Sequence, residues 1–145
     1  MRHTAIGTLV FCLIAGIAFA HSGVTNPAVK ARMELMSKVQ DATAVLGKMA
    51  QKAIPFDTAE AEAARLQLIE TATAIPSAFE APETDPKSEA RLAIWRDWDD
   101  FQSSAQNMQT VAQTLDTSSL NTLRTGMGQL GKSCKSCHAA FRIEK

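Results

Sequence analysis

The sequence predicts an all-α protein, an antiparallel bundle of four helices, and three observations carry that prediction. Apolar residues recur at three- and four-residue steps along most of the chain, the spacing of one helical face. No stretch alternates apolar and polar residues with the two-residue period of a strand. Prolines and short polar clusters fall between the periodic stretches, where connections belong.

The first 20 residues stand outside this pattern. They read MRHTAIGTLVFCLIAGIAFA, with Arg2 near the start, an apolar run, and a small-residue exit at Ala18-Phe19-Ala20. That is the layout of a secretory signal peptide, cleaved after Ala20, and it implies a periplasmic protein. The run is short and interrupted for a membrane span, although an uncleaved anchor is the alternative reading. Residues 21–145 then form one domain, long enough to bury a modest core. Removing Arg2 leaves 14 Lys and Arg against 15 Asp and Glu, a balance that gives no electrostatic reason to expect a nucleic acid partner.

Asn26 and Pro27 open the first helix, as cap and first helical residue, and Pro55 closes it after about Ala53. Asp57, with Glu60 three residues on, opens the second helix, which is expected to stop at Ile75 before Pro76. An acidic loop with Pro82 and Pro86 follows, from Ser77 to about Lys87. Ile94, Trp98, Phe101, Ala105, Met108, Ala112 and Leu115 form one stripe, read as a single third helix. Thr117-Ser118-Ser119 turns the chain into a fourth, whose stripe is Leu120, Leu123, Met127, Leu130, Cys134, Cys137 and Phe141. Four amphipathic helices with one longer central loop favour the bundle.

The chemistry sits on the last helix. Of three cysteines, Cys12 lies in the segment to be removed, in a context (Leu9-Val10-Phe11) unlike a lipidation site. The remaining two form Cys134-Lys135-Ser136-Cys137-His138, the spacing of a c-type haem attachment site. Two thiols three residues apart can add across the two vinyl groups of one porphyrin, and the adjacent histidine offers a neutral nitrogen to the iron. A closed zinc site needs four ligands, and His21 is the only other histidine after processing. A thioredoxin-like motif needs a strand before its helix, and no strand is predicted. The expected cofactor is therefore a single haem c, covalent through Cys134 and Cys137, with His138 on the iron.

With this motif at the carboxyl end of a predicted bundle, the chain resembles the class II c-type cytochromes, the cytochrome c prime group. The resemblance rests on Cys134 to Arg142 (CKSCHAAFR), on Ile94-Trp95 with Phe101, and on Pro55-Phe56-Asp57, and it covers the chain after residue 20. It implies one haem held between helices near one end of the bundle. In one branch of the group an apolar side chain of the first helix covers the iron, which stays open to small gases. In the low-spin branch a methionine there ligates it. Counting back from Pro55-Phe56, that position falls on Met36, so the resemblance implies iron between His138 and Met36. It also places Arg32, one turn earlier, near a haem propionate, and Arg142 invites a similar reading.

By spacing alone methionine is a common core filler. Met33 is the rival ligand, while Met49, Met108 and Met127 read as packing residues. Lys132 and Lys135 could form a basic rim for an acidic redox partner, or simply a solvated face. Asp97, Asp99 and Asp100 read as surface, and Trp95 and Trp98 as packing. The expected function is a periplasmic electron carrier with redox proteins as partners and no substrate chemistry of its own. The alternative is a protein that binds or sequesters nitric oxide or carbon monoxide. A peroxidase would need a distal histidine, and none is available. Related bundles often form homodimers through their first two helices.

Overall fold

The computed structural model describes residues 23–144, so the expected signal segment lies outside the described residues. The described chain is all-helical: α1 (Pro27–Ala50), α2 (Thr58–Phe79), α3 (Ala93–Arg96), α4 (Trp98–Thr114) and α5 (Leu120–Phe141). α1 packs on α2 and α5, and α4 packs on the same two helices, which closes a ring of four. The single turn of α3 sits against α4 and α5. This is the antiparallel four-helix bundle that the periodicity predicts.

The helix starts follow their capping residues. Asn26 Oδ1 accepts from the Val29 N–H at 3.1 Å, with Pro27 in the first turn. Asp57 Oδ1 accepts from the Glu60 N–H at 2.8 Å. Ser119 and Thr122 form a reciprocal capping box at the start of α5. The core runs the length of the bundle. Leu46, Met49, Leu68, Leu123 and Leu130 are fully enclosed, and six of the seven residues in the predicted third-helix stripe, all but the half-buried Trp98, are buried with them.

Three helix boundaries differ from expectation, each for a local reason. α1 stops at Ala50 rather than Ala53. Lys52 takes a left-handed backbone (φ 61°), its N–H bonding to Met49 O at 2.9 Å while the Ala53 N–H bonds to Lys48 O at 2.8 Å. That pair of bonds is a Schellman stop, built here on lysine where glycine is usual. α2 continues past Pro76 to Phe79. Proline removes one donor, but the extra turn gains tertiary partners: Ala78 O accepts from Arg32 Nε and Phe79 O from Trp95 Nε1. The central loop accordingly starts at Glu80. The expected third helix is split at Asp97 (φ −115°, ψ 49°), giving α3 and α4. The apolar stripe runs through the break, so periodicity alone could not reveal it.

Candidate haem site

α5 brings the motif to the core. Cys134 and Cys137 are part-buried and not joined in a disulfide, and Cys137 packs against the core cluster. Ser133 beside them is buried, its hydroxyl donating to Leu130 O at 2.8 Å. Desolvation pushes both thiols' pKa values up; the Ser133 hydroxyl partly opposes this at Cys134, and Cys134 itself adds to it at Cys137. Both cysteines are therefore neutral thiols at neutral pH, three residues apart on one helix face.

His138 lies one turn after Cys134 and is exposed overall. Loss of hydration is nevertheless the largest influence on its imidazole and lowers its pKa; the Arg142 cation acts in the same direction and Glu89 opposes. A neutral imidazole is the form that ligates iron. Among the described residues no hydrogen bond engages the ring. Nor, among them, do three His, Cys, Asp or Glu side chains converge as a metal-binding group.

Across the bundle, Met36 is half-buried on α1 and packs against the core cluster, a set that does not include Met33. Met49 and Met108 lie in the core and Met127 packs against it. Seven residues beyond Met36, two turns along the same face, the buried Thr43 Oγ1 has no hydrogen-bond partner among the described residues. An orphaned buried hydroxyl is uncommon in a finished core, and it lies on the helix face that carries Met36. Two free thiols, an unengaged imidazole and a half-buried thioether on facing helices form a donor set that fits a covalent haem.

A cleft of about 650 Å³ lies elsewhere, between the α3–α4 segment and α5, lined by Arg91, Arg96, Asp100, Ser136 and Ala140 among others. Residues two apart on a helix point about 200° apart. Ser136 and Ala140 therefore face away from the flank that carries Cys134 and His138, while Phe141, which also lines the cleft, lies one turn beyond Cys137.

The two arginines singled out from the sequence have definite partners. Arg32 is buried, 3% exposed. Its Nε donates to Ala78 O at 2.9 Å, Nη1 to Glu83 O at 2.8 Å and Nη2 to Ala81 O, while the guanidinium lies over the rings of Phe79 and Trp95. Three of its five N–H groups are thus committed to the last turn of α2 and the loop that follows it, and a propionate contact would fall to the other two. Arg142 pairs with Glu89 through Nε and Nη2. Lys132 and Lys135 are exposed, as are Asp97, Asp99 and Asp100. Sequence reasoning missed Glu89 and Arg91, which bind the end of α5; both stand in the irregular segment before α3, where no periodicity marks them.

Fold and site together define a c-type cytochrome built on a helical bundle. The comparisons agree. A family model described as cytochrome C' matches residues 27–142. Cytochrome c-556 of Agrobacterium tumefaciens (strain apple 185) is 36% identical over 75 residues, 52% of this chain, and the match spans 59% of that relative's length. The structure of oxidised R. palustris cytochrome c556 superposes with TM-score 0.75 at 26% identity, covering 83% of this chain and 99% of that one. A leucine-to-alanine mutant of cytochrome c prime from Alcaligenes xylosoxidans, solved as its nitric oxide complex, gives 0.72 at 30% identity, covering 81% and 94%. The chain belongs to the cytochrome c prime family, and membership implies covalently bound haem c.

Proposed function

We propose that this protein is an exported, periplasmic electron carrier with one haem c, attached through Cys134 and Cys137 and ligated by His138 and Met36. The observation that carries the reading is Met36, a half-buried thioether on α1, the helix that packs against the motif-bearing α5. The haem, when bound, supplies one-electron iron chemistry. With Met36 and His138 as its ligands, the thioether and the imidazole would favour the ferrous state and keep the ligand set constant between oxidation states. Cys134 and Cys137, both part-buried on α5, would hold the group to that helix. No residue is assigned to substrate chemistry, so no enzymatic activity is proposed.

Export rests on the signal-like residues 1–20, and among the described residues no helix is long and apolar enough to cross a membrane. The partners proposed are redox proteins, with Lys132 and Lys135 as docking charges beside the attachment turn. Binding of nitric oxide or carbon monoxide is the second reading, favoured by the nitric oxide complex among the structural neighbours. Replacing Met36 by Ala separates the two. In the carrier, Met36→Ala converts a low-spin haem to high spin and opens it to carbon monoxide, while Met33→Ala leaves the spectrum unchanged. Equal spectra for wild type and Met36→Ala would remove Met36 from the iron.

A further inference from the structure

A helix leaves its last four carbonyls without intrahelical donors, and in α5 those are the carbonyls of residues 138–141. His138 O accepts from the Arg142 N–H at 2.9 Å. Two of the others are served by one residue of a distant segment: the Arg91 N–H bonds to Phe141 O at 2.9 Å, and Arg91 Nη1 to Ala139 O at 3.2 Å. In return the Ile143 N–H bonds to Glu89 O at 2.8 Å, and Ala90 and Arg142 form an antiparallel bridge. Residues 89–91 thus cross the end of α5 as a strap. A side-chain pair closes it, with Glu89 Oε2 accepting from Arg142 Nε at 2.7 Å and Nη2 at 2.6 Å. The carboxylate is the more sheltered partner, its side chain 26% exposed against 52% for the arginine.

We propose that Glu89 is a positioning residue for the His138 imidazole, acting through Arg142 and the 89–91 strap on the turn of α5 that carries His138. The inference rests on His138 being an iron ligand. Groups outside the ligand set orient a ligating histidine and tune its metal. This pair does so in two ways. It anchors a terminal turn that would otherwise fray, and it offsets the Arg142 cation in the field at His138. Removing the carboxylate leaves that cation uncompensated, which disfavours ferric iron and raises the reduction potential.

The test compares wild-type holoprotein with Glu89→Gln and Glu89→Asp by redox titration, ferric electron paramagnetic resonance and amide hydrogen exchange. Glu89→Gln is expected to raise the potential, shift the low-spin resonance, and speed exchange at residues 141–143 by about fivefold. Glu89→Asp, which keeps the charge, should restore the potential towards wild type. Faster exchange in Glu89→Gln with unchanged potential and resonance makes the strap a structural tie only and overturns the proposal, as does no change at all. A wild-type resonance without histidine ligation would end the parent reading and this one together. With that ligation present, a silent Glu89→Gln ends only this one.

Discussion

A guanidinium taken out of water needs partners for its N–H groups, and Arg32 takes three of them from backbone carbonyls at 78, 81 and 83. Burial lowers its pKa and Glu83 raises it, yet arginine stays charged at any ordinary pH. Phe79 and Trp95 add cation–π contact. The residue is therefore a clamp between α1 and the loop after α2, one turn from Met36. Arg32→Ala would leave those carbonyls short of donors and is expected to destabilise the holoprotein by about 3 kcal/mol, read by denaturant unfolding. A loss near zero would show that the carbonyls recover water at little cost. The sequence marks Arg32 as notable through the family register, but its carbonyl partners are invisible there, because any residue has a backbone oxygen.

At the scale of elements, helix existence was legible and helix endings were not. The stripes through Leu123, Leu130 and Phe141, and through Phe101, Ala105 and Ala112, are buried as spaced. A stripe does not report its own interruptions, which is why the break at Asp97 escaped. Nor does proline end a helix when tertiary bonds hold the following turn, as Trp95 and Arg32 do beyond Pro76. The Schellman stop of α1 offers a direct check. Lys52 holds a left-handed backbone that costs an L-residue about 1 kcal/mol, so Lys52→Gly should raise stability by about that amount. An unfolding midpoint lower than wild type would mean that the Lys52 side chain contributes more than its backbone costs. The haem motif was legible outright, since its residues are contiguous, whereas the strap joins segments about fifty residues apart.

Over the whole molecule, two carboxylates tie the ends of the bundle. Arg65 and the Thr117 hydroxyl lower Glu62 from its ordinary 4.5 to about 2, joining α2 to the turn before α5. The backbone N–H groups of Lys87, Thr25 and Asn26 lower Asp85 from 3.8 to about 2, joining the central loop to the start of α1. A carboxylate whose folded pKa is depressed contributes stability that is fully present above its unfolded pKa and is lost as pH falls through the folded value. The window is thus pH 4.5 down to about 2, and the effect is modest because both groups face solvent. Unfolding midpoints measured across that window should fall, and Glu62→Gln should flatten part of the decline. A flat wild-type profile would show that these ties carry no net stability.

The central claim is that iron sits between His138 and Met36. The most direct measurement is the optical absorption spectrum of the purified holoprotein, oxidised and reduced, with and without carbon monoxide. The account predicts a low-spin spectrum with the weak long-wavelength sulfur-to-iron band when oxidised, and no response to carbon monoxide when reduced. A high-spin spectrum that shifts on adding carbon monoxide would contradict it and leave Met36 as a packing residue beside an open iron.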